Sequence, residues 1–536
     1  MRKLAYFWIV VLLCLISPVY ALPSVIGDIN SDESVDLEDA ILALKVVDGQ
    51  TPAGIRADYA TSGTDVNCDE KIDIAEAIYA LQVIGGLRVT VANEYGVKYV
   101  SKMGNDTYTG TPVCPYRSIT HALTAAAEAG FPEIRIQTGT YSETITLNVT
   151  ETERKLIDGY GADWTYNAAN VVTVLAQVST GAIVMQNVDT NTVFSDMTIV
   201  GIDATEPSES SYAIRILSST GPIKFQKVQI QAGKGANGDA GISGANNSSI
   251  AAAGSDGENA SSYYSPCDDI NYGMGGAGAG SGGRGGNGGA MDTDCSQFLP
   301  NYNARAGSSG TSATGAPGGS GGGVCSAGMD GREGVSGYPG SGGSGGSGGI
   351  ITGHLWVPQT GGTGGAGQSG GGGGGGGGSG GCDEGTDSYG AGGGGGGAGG
   401  LGASGGAGGL GGGSSFGIFA ENSTLVVTDS TIVRGYGGTG GRGGDGGTGA
   451  IGGHGGAGGQ GSGGAMSGGT GGRGGSGGRG GGGGGGSGGS SYGIYNSGGS
   501  ITATGVNYTG GAAGSGGLGG SPSGYQGSAG SVVTKN

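Results

Sequence analysis

The chain has 536 residues, 139 of them glycine, and carries 42 acidic against 24 basic side chains for a formal net charge of −18. So acidic a chain lacks the basic patches through which nucleic acid and anionic lipid are bound. Its length suggests roughly two to four domains, but the glycines, crowded after about residue 233, divide it more sharply.

Arg2 and Lys3 lead into an apolar run over 4–16, then Ser17, Pro18 and the small-residue ending Val19-Tyr20-Ala21. That is the order of a secretory signal peptide over 1–21, cleaved after Ala21. The run is shorter than the roughly 18–20 residues of a membrane span, and Cys14 lies inside it, not at a lipoprotein position at its end. Cleavage removes two basic residues and takes the charge from −18 to −20. It leaves Cys68, Cys114, Cys267, Cys295, Cys325 and Cys382, which an exported protein can pair as disulfides. The pairing is not readable from the sequence. A secreted or cell-surface protein without a later membrane span is expected.

Residues 24–88 contain a duplication. Asp28, Asn30, Asp32, Asp36 and Asp39 put side-chain oxygens at positions 1, 3, 5, 9 and 12 of a twelve-residue loop, with Ser34 at position 7 offering its carbonyl. Thirty-seven residues on, Asp65, Asn67, Asp69, Asp73 and Glu76 repeat the pattern, with Lys71 at position 7. Calcium takes six to eight oxygens, and a loop with this spacing can wrap it. Val35 and Ile72, both at position 8, allow the loops to pair and face a core. A helix should leave each loop, since 40–46 and 77–83 carry apolar residues along one helical face and end at Asp48-Gly49 and Gly85-Gly86. This loop-then-helix duplication resembles the type I dockerin domain over about 65 residues, which implies bound calcium and a cohesin-type partner. Two features depart from familiar patterns. Position 6, glycine in ordinary EF-hands, is Glu33 and Glu70, which suits dockerins better; positions 10 and 11 are Leu37-Glu38 and Ile74-Ala75, not the Ser/Thr pairs by which dockerins recognise cohesins. An intramolecular contact with the next domain is therefore the alternative partner. Residues 89–96 read as a linker.

In 97–149, a strand over 96–101, a helix over 119–129 and strands over 133–136 and 145–147, the last two separated by Gly139-Thr140-Tyr141, resemble the N-terminal cap of right-handed parallel β-helix proteins of the pectate-lyase-like superfamily. Beyond it, 181–185 aligns with 212–216 and 193–199 with 224–230, both at an offset of 31 residues. Each unit reads as two short strands joined by a polar turn, and such coils bury their apolar faces only by stacking. The unit returns at 414–432 and 490–506, each time opening, like 210–214, on Ser-Ser-aromatic-small-Ile. The fold expected over 150–536 is thus mainly β, a solenoid with glycine-rich insertions at one corner over about 233–413 and 435–489 and a glycine-rich end at 510–536.

Within the insertions Thr439, Arg442, Asp445 and Thr448 are spaced by Gly-Gly. This three-residue beat fits a left-handed extended helix with three residues per turn, and it resembles the polyglycine II bundles of some antifreeze proteins and phage adhesin tips. A disordered linker is the other reading. The insertions have both ends pinned by coils, and Cys267, Cys295, Cys325 and Cys382 can staple the larger one, so the bundle is expected. The spacings of these cysteines do not suit a metal.

No catalytic constellation stands out. Asp196 and Asp429 share a coil position with Lys227 and Gly505, which marks a turn. Arg215 and Lys224 are solitary bases, and nothing in the sequence pairs with His121, His354 or His454. Trp164 and Tyr166 read as a packed loop. The expectation is a non-catalytic calcium-binding surface or extracellular protein whose solenoid presents glycine-rich insertions for adhesion or scaffolding. The alternative is a polysaccharide lyase or glycoside hydrolase attached through a dockerin–cohesin interaction.

Overall fold

The computed structural model describes residues 24–94, 96–129, 133–148, 154–263, 272–290, 305–314, 316–383 and 387–536. The expected signal peptide, Cys267 and Cys295 lie outside these residues.

Each N-terminal loop feeds a helix capped from within the loop. Asp36 caps α1 (Leu37–Val47) and Asp73 caps α3 (Ile74–Ile84), both in reciprocal capping boxes with the residue three places on, Asp39 or Glu76. A short turn, α2 (Tyr59–Ser62), lies between. Small residues face inward: Ala40, Ala43, Ala77 and Ala80 are buried, and the core gathers Ile29, Leu42, Ala43, Ile72 and Ala77. A second set of large apolar residues points the other way. Leu37, Ile41, Leu44 and Val47, and their duplicates Ile74, Ile78, Leu81 and Ile84, are 42–59% exposed. Ile72 enters the core as expected, while Val35 is half-buried. The loops are tied directly by Thr64 Oγ1 donating to the Asp28 carbonyl at 2.9 Å and by Gly27 N–H donating to Gly63 at 3.3 Å. Part of the expected linker is structured: Ala92–Asn93 pairs antiparallel with Ser24–Val25 and closes the module.

From Val97–Val100 onward the chain coils into long curled parallel sheets, a β-helix-like solenoid. The cap helix α4 spans Ile119–Ala129, as the periodicity indicates, and Glu143 caps it by accepting from Ile119 and Thr120 N–H at 2.9 Å. Gly139–Ser142, expected as a separator, is itself a strand pairing with Val172–Leu175, because Tyr141 is buried between coils. The 31-residue register is observed directly in the pairs Ile183↔Ile214, Val193↔Lys224 and Thr198↔Gln229. The coils at 183–200 and 211–231 have three strands, not the expected two, because the runs 193–199 and 224–230 break at Asp196 and Lys227, whereas those at 415–436 and 491–512 have two. Asp196, Lys227, Asp429 and Gly505 stack at that corner with φ of 61°, 53°, 48° and 65°. Asn187, Ser218, Asn422 and Gly498 form a second such stack, at φ of 56°, 48°, 48° and 80°. Left-handed backbone turns the chain sharply, and Asn, Asp and Gly tolerate it best. Inside, Phe194 stacks on Phe225 at 5.1 Å among fully buried Ile183, Ile214, Ile418 and Ile494.

Every glycine-rich excursion leaves after a strand of the same face (Gln229–Gln231, Thr431–Tyr436, Asn507–Ala512) and re-enters at Ser415, Ser491 or Val532. Between these points the segments run side by side, with every third N–H bonded to a neighbour at the edge and consecutive N–H groups bonded at the centre. Gly238, Gly241 and Gly244 donate to Thr439, Arg442 and Asp445 carbonyls at 2.7–2.8 Å. At the centre, Gly374, Gly375 and Gly376 donate to Arg332, Thr311 and Gly394, and accept from Gly472, Gly319 and Gly286. Three consecutive residues thus bond six different segments. Such bonding offsets the high ordering entropy of glycine.

Candidate functional site

In the first loop, Asp28 Oδ1 accepts from Ser31 N–H at 2.7 Å and Oδ2 from Glu33 N–H at 3.1 Å. Asp39 accepts from Ile29 at 2.7 Å and from Asp36 at 2.9 Å. Asp32 accepts from Ser34 N–H, Ser34 Oγ and Asn30 Nδ2 at 2.8–3.0 Å. The second loop repeats this: Asp65 accepts from Cys68 and Glu70 at 2.7 Å, Glu76 from Val66 and Asp73 at 3.0 and 2.7 Å, and Asp69 from Lys71 at 3.0 Å. Positions 1 and 12 are buried in both loops (Asp28, Asp39, Asp65, Glu76), whereas Asp32, Ser34, Asp36, Asn67, Asp69 and Lys71 are exposed and Asn30 and Asp73 half-buried. Burial pushes the Asp39 carboxyl above its usual range, and the nearby Asp28 charge raises it further. Burial likewise raises Glu76, with Asp73 adding to it. Among the described residues no basic side chain pairs with these four buried carboxylates, and no three His, Cys, Asp or Glu side chains are gathered as a metal site.

A second construction lies where the glycine segments meet the solenoid. In the Ser-Ser-aromatic motif the first serines form a ladder: Ser414 N–H donates to Ser210 Oγ and Ser490 N–H to Ser414 Oγ, both at 3.0 Å. The second serines are buried and donate to Ile202, Gly233 and Gly435 carbonyls at 2.6–2.7 Å, holding the mouth of each excursion. The aromatics stack as Tyr212, Phe416 and Tyr492, with ring centroids 5.0 and 5.1 Å apart. A hairpin of Gly349–Thr352 and Leu355–Pro358 covers them: Trp356 packs edge-on to Phe416, Tyr492 and Tyr495 at 5.3–5.9 Å, and its backbone N–H donates to Tyr212 Oη at 2.8 Å. Sequence reasoning missed this hairpin. Its signal was the apolar run Ile350-Ile351 and Leu355-Trp356-Val357 around Gly353-His354.

His354 corrects an expectation, since at the hairpin tip its Nδ1 pairs with Glu421 Oε2 at 2.9 Å. His121 packs edge-on to Tyr116 at 4.8 Å on the cap helix, and His454 is exposed. Arg215 is half-buried 5.9 Å from the Tyr212 ring centre, and Lys224 lies on its strand apart from any carboxylate partner among the described residues. Trp164 is packed: its Nε1 donates to Pro112 O at 2.8 Å and its ring meets Tyr99 edge-on at 4.8 Å. Tyr166 is 49% exposed beside Tyr160. Two disulfides are present among the described residues, Cys68–Cys114 and Cys325–Cys382. The second staples the larger insertion. Among the described residues no helix is long and apolar enough to cross a membrane.

The family described as "Protein of unknown function (DUF1565)", associated with parallel β-helix proteins, matches residues 102–263, which is well under half of the chain. No curated protein and no solved structure matches.

Proposed function

We propose that this is a secreted, non-catalytic calcium-binding protein of the extracellular space or cell surface, in which a solenoid presents a polyglycine II-like bundle for adhesion or scaffolding. One observation carries the calcium reading: each loop buries two carboxylates, at positions 1 and 12, with no described basic side chain to offset them. Buried carboxylates need a compensating charge, and an all-oxygen donor set suits a hard divalent cation. Asp28, Asn30, Asp32, Asp36 and Asp39, with the Ser34 carbonyl, would hold one ion. Asp65, Asn67, Asp69, Asp73 and Glu76, with the Lys71 carbonyl, would hold the other. Bound calcium would supply positive charge that fixes the loop and the helix leaving it. Two disulfides accord with an oxidising compartment.

The pH dependence tests this reading. Asp39 and Glu76 titrate above their unfolded counterparts, so the folded apo module binds protons more strongly, and its stability falls as pH rises through that raised range. With a chelator present, the module should melt higher at mildly acidic than at neutral pH. Excess calcium should reverse that order by raising the neutral melting temperature. Far-UV circular dichroism melts of the full chain measure both, and identical neutral melts with and without calcium would sink the reading.

For a partner, the duplicated apolar stripe on α1 and α3 supports a cohesin-type domain, since it repeats across the pseudo-symmetric helices and none of its residues is buried. Ile41→Asp combined with Ile78→Asp should weaken capture of such a domain at least about tenfold. Capture unaffected by the charges, or absent in the wild type, refutes this partner.

A further inference from the structure

We propose that the second loop alone is built into the β-helix cap, so that the ion at that loop and the cap stabilise each other while the first loop binds independently. This rests on the calcium reading above and adds to it an asymmetry between the two loops. Cys68 stands at position 4 of the second loop and is bonded to Cys114 of the cap, 46 residues away, with Cα atoms 5.6 Å apart. The equivalent residue of the first loop is Ser31, which can form no such bond. The bridge lies against the first ligand of the loop: Cys114 Sγ is 3.4 Å from the Asp65 carbonyl oxygen, and Cys68 Sγ is 3.7 Å from that of Val113.

The cap side of the bridge is rigid. Cys114 N–H donates to Thr111 Oγ1 at 3.1 Å, Gly110 N–H to the Cys114 carbonyl at 2.9 Å, and Trp164 Nε1 to Pro112 at 2.8 Å. The Trp164 ring in turn packs on fully buried Tyr99. A second tie holds the module as a whole and touches neither loop directly: Glu94, next to the closing strand, takes a two-pronged bond from Arg135 of the solenoid at 2.7 and 2.5 Å.

Both loops use left-handed backbone at non-glycine residues, with Ser31 and Glu33 at φ of 67° and 70° and Cys68 and Glu70 at 67° and 62°. That conformation is unfavourable for such residues without outside support. In the first loop hydrogen bonds impose it, chiefly those that Ser31 and Glu33 N–H donate to the Asp28 carboxylate, with no covalent tether. In the second, a covalent tether to a packed element selects it before the ion arrives, and preorganisation of this kind raises affinity. Linkage makes the effect reciprocal: an ion that favours the tethered shape must also steady the cap loop.

The test is calcium titration calorimetry on the full oxidised chain and on the double variant Cys68→Ser/Cys114→Ser, with Asp28→Asn and Asp65→Asn variants assigning the two binding steps. The step lost in Asp65→Asn should weaken about tenfold in the double serine variant, and the step lost in Asp28→Asn should not change. Calcium should also blue-shift or quench Trp164 emission in a Trp356→Phe background, and not in that background lacking the disulfide. Equal weakening of both steps, or of neither, overturns the inference while leaving calcium binding intact. No binding heat in the wild type overturns the calcium reading itself, and this inference with it.

Discussion

Gly375→Ala is expected to destabilise the glycine array by about 3 kcal/mol, the upper end of what one extra methyl group costs in a packed interior. A Cβ at Gly375 would fall under 3.0 Å from the Arg284 carbonyl oxygen, one at Gly374 as close to that of Pro317, and one at Gly376 to that of Gly469. Each direction is occupied by backbone, which cannot rotate away as a side chain can. Relief would require a neighbouring segment to move, breaking the bond that Gly375 N–H makes to Thr311 at 3.1 Å. Thr363→Ala, on an exposed row of the same segment, is the control and should stay within about 0.5 kcal/mol. Thermal melts and limited proteolysis read the difference. The wild type should resist cleavage across 233–413, and Gly375→Ala should be nicked there first. Equal melting of the two variants, or rapid cleavage of the wild type throughout the segment, would contradict the packed array.

Phe416→Ala should have the larger effect on the solenoid, about 3–5 kcal/mol. Phe416 is fully buried and central to the aromatic seam, stacked between Tyr212 and Tyr492 and touched edge-on by Phe419, Tyr495 and Trp356. Its removal leaves a cavity between consecutive coils and takes away the floor on which the hairpin 349–358 rests. The hairpin belongs to the larger insertion, so damage to the seam should propagate outward: Trp356 emission should shift red and the protease resistance of the insertion should fall. Phe416→Leu, which keeps most of the volume, should lose roughly half as much. Tyr525→Ala, at a 67% exposed ring, should change little. If Phe416→Ala lowered the melting temperature no more than Tyr525→Ala, the seam would not be the joint between coil and insertion.

Much of this organisation was legible from residue spacing. The offset of 31 residues appears as the observed register, and the shared position of Asp196, Lys227, Asp429 and Gly505 is a left-handed corner. Other features left a signal that periodicity alone did not exploit. The unbroken glycine runs 370–378, 392–397 and 480–486 mark segments enclosed on every side, because a residue surrounded in all three directions of a three-fold helix has no room for a Cβ. Where one row faces solvent, a side chain returns at every third position, as at Thr439, Arg442 and Thr448. Asn237, Asn246, Asp256 and Asn259 use that freedom to accept N–H groups of the adjacent segment at 2.7–2.8 Å.

What the residue order settled without help was therefore local and repetitive: the two twelve-residue loops, the helices leaving them, the coil register and the three-residue beat. These follow from backbone geometry, which repeats with a period that side chains reveal. Folding in three dimensions settled the partners. Periodicity placed one apolar stripe on α1 and α3, yet Ala40, Leu42, Ala43, Ala77, Tyr79 and Ala80 turned inward and Leu37, Ile41, Leu44, Val47, Ile74, Ile78, Leu81 and Ile84 outward, because only one side of each helix meets the module's core. The pairing of Cys68 with Cys114 and of His354 with Glu421 joins residues 46 and 67 apart. Such pairs depend on where coils and insertions bring the chain back upon itself. A spacing rule reads neighbours along one element, and a contact between distant elements leaves no period in the sequence.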